Sequence, residues 1–310
     1  MTTERPTLRF GVATVAVRDD LTPYDEVFVP EWDENFQVDD RLFETLAVCA
    51  ADDIPALLVG PAGCGKTQGV RMIAALLNQP VRKISLNADV RSSDFVGQKS
   101  IDVDEATGTS IVTFKDGILP DAMRRGHWLV LDEFDATPPG IAFVLQSVLE
   151  PGHVLTLLDN YGEVVTPHPS FRLFATGNTI GKGDESGLYT GTNVMNEATL
   201  DRFVTIECTY VVPSVECEIL TSKTGVAAQI AKRLVDVATL VRQGFDKNEC
   251  FCTFSTRRLL AWAAFTTRFG ANDAAVVRGY KLAVASKLGR EDRLYVAGVV
   301  QRVIGLDVAR

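Results

Sequence analysis

Short apolar runs alternate along the chain with segments whose apolar residues recur every three or four positions. Ile54–Val59, Val81–Asn87, His127–Leu131, Phe171–Thr176 and Phe203–Cys208 read as five strands. Runs this short and this apolar suit strands buried on both faces. Between them, Asp39-Asp40 can cap a helix through Val48 and Ala50. Val70, Ile73, Ala74 and Leu77 fall on one helical face, and a further helix spans roughly Pro139 to Leu149. Strands alternating with helices predict an α/β fold with a mostly parallel five-stranded sheet covered on both sides. Two hairpins interrupt it. One is at 98–114, turning at Asp104–Gly108, and one is at 153–166, turning at Asp159–Gly162. From about Pro213 the pattern becomes helical throughout. Ile230, Leu234, Val237 and Val241 form one stripe, Leu259, Leu260, Ala263 and Ala264 another, and Ala283, Val284, Leu288 and Leu294 suggest more. Residues 1–38 form an appendage: Leu8–Val17 reads as a strand. The acidic, aromatic piece Tyr24–Phe36 reads as an extended arm packed on the main domain, or less simply as an adaptor surface, with Pro30 limiting regular structure.

Composition narrows the setting. The 310 residues suffice for one large or two modest domains. No apolar run approaches the roughly 20 residues that span a bilayer, and Met1–Arg9 is polar, so the expectation is a cytoplasmic protein with no membrane contact. The net charge of −9 is opposite to that of most chains that grip a phosphate backbone, which weighs against nucleic acid as the main partner. Of six cysteines only Cys250 and Cys252 form a close pair. The histidines at 127, 153 and 168 lie far from them, so the thiols read as reduced and structural rather than metal-binding.

The candidate chemistry starts at Gly60-Pro61-Ala62-Gly63-Cys64-Gly65-Lys66-Thr67, between the first core strand and its helix. In that context glycines let the backbone turn its N–H groups toward phosphate oxygens, and the following helix adds its positive end. Lys66 supplies a charge for the outer phosphates and Thr67 a hydroxyl for Mg²⁺. The third strand ends in Asp132-Glu133. If that strand lies beside the loop, Asp132 stands near the metal shell and Glu133 can take a proton from an attacking water.

The order of these motifs resembles that of the AAA+ ATPases, and the two hairpins resemble the MoxR-like branch, in particular CobS-type subunits of aerobic cobaltochelatase. The resemblance rests on Phe114–Pro120, Leu131–Ala136, Val144–Glu150, Pro167–Thr179 and Gly187–Thr192, and covers roughly residues 25–220. It implies ATP and Mg²⁺ as cofactors, an α/β core over 39–212 and a helical lid over 213–310. Asn178 corresponds to the sensor 1 residue that holds the attacking water, although a strand-end Asn also commonly just makes a turn. Arg202 corresponds to the arginine finger that reaches a neighbouring subunit's nucleotide; its simpler reading is a surface salt bridge. Arg257 corresponds to the sensor 2 arginine, in its own or a neighbour's site. Arg258 is the alternative, because Thr256 stands where the family has proline. A finger implies an oligomer, by resemblance a six-membered ring, with the hairpins as pore or partner contacts or as surface padding. The resemblance further implies a partner carrying a von Willebrand A-type domain or a metal-chelatase subunit. The alternative function is a helicase-type nucleic-acid motor, with Arg82, Lys83, Lys99, Lys115, Arg124 and Arg125 as contacts.

Overall fold

The computed structural model describes residues 6–37, 39–104, 108–181, 193 and 195–308. It opens with β1 (Thr7–Phe10), β2 (Ala13–Ala16), α1 (Pro23–Glu26) and α2 (Asp40–Ala51). β3 (Ala56–Val59) leads through the glycine-rich loop to α3 (Lys66–Leu76), then β4 (Val81–Ser85) and α4 (Ser92–Phe95). The hairpin of β5 (Gly97–Val103) and β6 (Ser110–Asp116) precedes α5 (Ile118–Arg125), β7 (Trp128–Asp132) and α6 (Pro139–Val148). A second hairpin, β8 (Leu155–Leu157) and β9 (Glu163–Val165), is followed by β10 (Arg172–Gly177), α7 (Glu197–Leu200) and β11 (Val204–Glu207). The chain finishes with α8 (Pro213–Thr224), α9 (Ala228–Asp246), α10 (Thr256–Arg268), α11 (Asp273–Ala283) and α12 (Arg290–Ile304).

The central sheet runs β11-β3-β10-β7-β4, and every pairing is parallel. Successive side chains of a strand face opposite sides, and the sheet uses this alternation to build two apolar layers. Leu57, Val59, Leu129, Leu131, Leu173 and Ala175 join the layer containing Phe134 and Leu145. Ala56, Leu58, Trp128, Val130 and Phe174 join the layer under α2 and α3. β7 is not a direct neighbour of β3, because β10 is inserted between them. The registers still keep the strand ends level, with Gly177 opposite Val59 and Ala175 opposite Leu131, so Asp132 reaches the loop across β10.

The helical part has its own apolar cluster around Trp262 and Tyr280, with Leu234, Val237, Val241, Leu259 and Ala263. Leu294, assigned to a buried stripe from its spacing, is instead 61% exposed on α12. The N-terminal run Leu8–Val17 is two antiparallel strands rather than one, because the chain reverses at Gly11, where φ is 55°. The arm is not wholly extended either. Thr22 caps a single helical turn, α1, and carries Asp25 into the interior. Burial opposes the charge on Asp25. Hydrogen bonds from Thr22 and from His127, at 2.9 Å, outweigh it and bring the carboxyl down to about 2. The arm is further fixed by Phe28 and Tyr24, whose rings lie 4.5 and 4.3 Å from the guanidinium carbons of Arg82 and Arg125. The Phe28 carbonyl also accepts from Val81 N–H at 2.8 Å, at the edge of the sheet.

Candidate functional site

The glycine-rich loop leaves the C-terminal end of β3 and needs its small residues. A Cβ built at Gly60 would stand 2.0 Å from the Cys208 carbonyl oxygen. Gly63 has φ +75°, and a Cβ there would meet Ser255 Cβ at 2.8 Å. The loop is therefore pressed between the end of β11 and the start of α10. Lys66, 9% exposed, donates to the carbonyls of Gly60 at 2.7 Å and Pro61 at 3.1 Å and to Asn178 Oδ1 at 3.1 Å.

Thr67 Oγ1 donates to Asp132 Oδ1 at 3.1 Å. The same carboxylate oxygen accepts from Thr176, and the other accepts from Lys83 at 2.6 Å. Burial works against a charge on Asp132, but Lys83, Thr176 and Thr67 together hold its carboxyl below the usual range. A hydroxyl and an ionised carboxylate at this separation are hard oxygen donors of the kind that Mg²⁺ takes alongside substrate phosphates. Glu133 follows in the left-handed region at φ 58°, a conformation that costs about 1 kcal/mol or more for a non-glycine residue. Its side chain is exposed and, among the described residues, makes no hydrogen bond.

Sequence reading missed Asp135 and Thr176, and gave Lys83 only as a candidate nucleic-acid contact. Asp135 is 3% exposed, and its Oδ2 accepts from Asn178 N–H and Thr179 N–H, both at 2.9 Å, and from Thr179 Oγ1 at 3.1 Å. It thereby fixes the strand end that presents the Asn178 amide to Lys66. The one available signal was a second acid two residues after Glu133, at the start of the next turn.

The two arginines at the start of α10 separate clearly. Arg258 turns back, donating to the Thr253 carbonyl at 3.0 Å and lying 5.6 Å from the Phe254 ring centroid. Arg257 is exposed and lies beside the loop: its Cβ is 3.7 Å from a Cβ built at Gly63. Arg202 is not brought to the loop. It precedes β11, whose first residue, Val204, bonds to Pro55 at the opposite end of β3. There Arg202 pairs with Glu150, donating through Nε at 2.9 Å. The segment Gly187–Thr192 lies outside the described residues.

Beside the loop opens a cleft of about 670 Å³. Phe36 from the arm, Leu42 from α2, Ile206 from β11 and Ile219 and Leu260 from the lid supply apolar lining. Asp33 and Lys223 form an ion pair between the arm and α8, which lowers the Asp33 carboxyl below its usual range. The arm thus bounds the cleft beside the glycine-rich loop, a position that its sequence did not disclose.

Residues 55–203 match the AAA domain of the dynein-related subfamily, and residues 216–299 match the CbbQ/NirQ/NorQ C-terminal domain. Over 291 residues the chain is 35% identical to aerobic cobaltochelatase subunit CobS of Sinorhizobium sp, covering 91% of this chain and 85% of that one. The chain is a MoxR-like AAA+ ATPase. It is also 32% identical to protein CbbQ of Hydrogenophilus thermoluteolus, over 71% of this chain and 76% of that one. Its identity to protein NorQ of Paracoccus denitrificans is likewise 32%, over 72% and 77%. In fold, the ATPase is similar to the Thermotoga maritima RuvB Holliday junction branch migration motor. The TM-score is 0.52 at 15% identity, over 91% of this chain and 86% of that one.

Thr256, the departure from the family's proline, has a physical counterpart in this ATPase. Its Oγ1 donates at 2.6 Å to Glu216, a carboxylate with no solvent exposure that also takes both ends of the Arg242 guanidinium at 2.8 Å. Proline would start the helix equally well but would leave that bond unmade. Removing the acid should leave the Arg242 side chain, only 13% exposed, without its carboxylate partner. Glu216→Ala is therefore expected to destabilise the lid by about 3–5 kcal/mol, measurable by denaturant unfolding. A loss below 1 kcal/mol would contradict this account of the pair.

Cys250 and Cys252 converge with Asp292, all three ligand atoms lying within 4.8 Å. Burial pushes both thiols up, Cys252 to about 12, and Asp292 Oδ1 already accepts from Phe251 N–H at 2.8 Å. Burial thus favours the protonated thiols, and the carboxylate beside them belongs to the first turn of α12. Among the described residues no helix is long and apolar enough to cross a membrane.

Proposed function

We propose that this chain binds ATP with Mg²⁺ and hydrolyses it within an oligomeric ring, using the cycle to remodel or activate a partner protein. The observation that carries the reading is the meeting of Lys66, Thr67, Asp132 and Asn178 at the ends of three neighbouring strands. On this reading Lys66 exchanges the carbonyls of Gly60 and Pro61 for phosphate oxygens when ATP enters, and the loop N–H groups from Gly63 to Thr67 close around the phosphates. Thr67 and Asp132 hold the metal, Glu133 takes the proton from water, and Asn178 orients that water. Arg257 meets the phosphates from the lid, and Arg202 serves the neighbouring subunit. The apolar lining from Phe36, Ile206, Ile219 and Leu260 suits the flat face of the base.

Kinship with CobS, named as a cobaltochelatase subunit, supports a partner protein such as a further chelatase subunit; a von Willebrand A-type partner is the other reading that the resemblance implies. The two hairpins suit such a contact. Ile101 and Val112 are paired in register and are 75% and 62% exposed, while Leu158 and Tyr161 on the second hairpin are 84% and 89% exposed. Lys99 lies 5.1 Å from the Tyr161 ring, which joins the two into one surface.

A nucleic-acid motor gains no support from the basic residues considered for it. Arg82 and Arg125 pair with Asp121, Lys83 with Asp132, Lys115 with Asp102 and Arg124 with Asp116 and Glu163. Lys99 lies against Tyr161. Lys66→Ala tests the nucleotide reading: calorimetric ATP binding is expected to weaken at least about 100-fold, because a charge-assisted contact is lost and a buried phosphate goes uncompensated. Unchanged affinity would refute the site.

A further inference from the structure

Three consecutive carbonyls of the phosphate loop are held by side-chain donors. Lys66 takes those of Gly60 and Pro61, and both bonds must yield if Lys66 turns to a phosphate. The third is different. The Ala62 carbonyl accepts from the hydroxyl of Tyr210, at 3.2 Å, and Tyr210 belongs to the stretch joining β11 to the lid. That bond can persist with nucleotide bound, because it uses neither the lysine nor the loop's N–H groups.

The lid braces Tyr210. The Arg242 guanidinium carbon lies 3.8 Å from its ring centroid, and Arg242 is itself fixed by its two bonds to buried Glu216 and by donation to the Phe254 carbonyl at 2.7 Å. Thr253 Oγ1 stands 3.5 Å from the same hydroxyl. The segment Thr253–Arg257 also supplies Ser255 and Arg257, which flank Gly63. Tyr210 thus stands where the core, the linker and the lid meet, against the one of these three carbonyls that Lys66 does not take.

Peptide geometry gives this contact a consequence. No peptide among the described residues is cis, and in a trans peptide the C=O and the following N–H point in opposite directions. Anchoring the Ala62 oxygen therefore aims the Gly63 N–H away from Tyr210. Gly63, at φ +75° and without a side chain, has few restraints of its own against rotation of that peptide. We infer that Tyr210 is a positioning residue for ATP binding: through the Ala62 carbonyl it presents the Gly63 N–H to phosphate, and the Arg242–Glu216 pair of the lid holds it in place.

The inference rests on the nucleotide reading above. Tyr210→Phe keeps the ring on Arg242 and removes only the hydroxyl. It is expected to weaken ATP binding about 3- to 10-fold by calorimetry, the range of one hydrogen bond. KM for ATP should rise by a similar factor while kcat falls by a smaller one, a split that a merely structural role would not produce. Arg242→Lys, which keeps the charge but loses the planar stack, should weaken binding as well. Combined with Tyr210→Phe it should add little, since both act through one contact. Native-like ATP affinity in Tyr210→Phe, with binding lost in Lys66→Ala, overturns this inference alone. A lower melting temperature with unchanged affinity overturns it too. A native chain that binds no ATP overturns the nucleotide reading along with it.

Discussion

Replacing Glu133 with glutamine is expected to leave ATP binding intact and to slow hydrolysis by about 10²- to 10⁴-fold, the usual contribution of a general base. Glutamine has nearly the same shape, so the turn at φ 58° keeps its geometry, but the amide cannot accept a proton from water. The side chain is exposed and has no hydrogen-bond partner among the described residues, so neutralising it should change fold stability by no more than about 0.5 kcal/mol. Asp132 differs in kind. Its two oxygens are engaged by Thr67, Thr176 and Lys83, which suits a fixed metal ligand and leaves the proton-accepting role to its neighbour. Phosphate release at saturating ATP, measured beside nucleotide binding, separates the two steps. Turnover within twofold of the native chain would remove Glu133 from the reaction.

Arg202→Ala should have the larger effect, a loss of about 10³- to 10⁵-fold in turnover with ATP binding retained. The competing account is a structural ion pair with Glu150, which the geometry does contain. Energetics distinguish the two. The Arg202 side chain is 29% exposed and that of Glu150 53%, and pairs this open contribute roughly 0–1 kcal/mol, too little to explain such a loss. A pair so weak can open at modest cost when a neighbouring subunit offers the spreading charge of a phosphoryl transition state. Mixing supplies the decisive measurement. On this reading Lys66→Ala subunits bind ATP only weakly but keep Arg202, whereas Arg202→Ala subunits bind ATP but lack the finger. Mixed rings should regain turnover that neither variant has alone. Rings that stay inactive at every ratio would show that Arg202 does not act across a subunit boundary.

The ease with which parts of this site were read depended on how local they are. The glycine-rich loop is eight consecutive residues whose strand and helix are their immediate neighbours, so spacing suffices to place it. Arg257 against Arg258 could not be decided by spacing, since adjacent residues on a helix differ by about 100° in direction. Packing shows which of the two lies beside the loop, placing Gly63 against Ser255 and Arg257. Asp135 escaped notice because an acid two residues past a strand end is ordinary in sequence; its value lies in bonds to residues 43 and 44 positions later. The arm's part in the cleft was hidden for a related reason. Phe36 and Asp33 matter through their meeting with α8, and Lys223 is 190 residues from Asp33.

By itself the sequence determined most of the elements, the parallel α/β class and the helical C-terminal part, because hydrophobic period and glycine placement act within a few residues. Only the tertiary structure decided that β10 separates β3 from β7, that Leu8–Val17 doubles back, that Leu294 faces outward, and that Tyr210 meets the phosphate loop. Each of these depends on segments far apart in the chain finding one another. A buried apolar run fits equally well between several neighbours, so strand order and the contacts at strand ends are fixed by the packing of the whole domain rather than by any one segment.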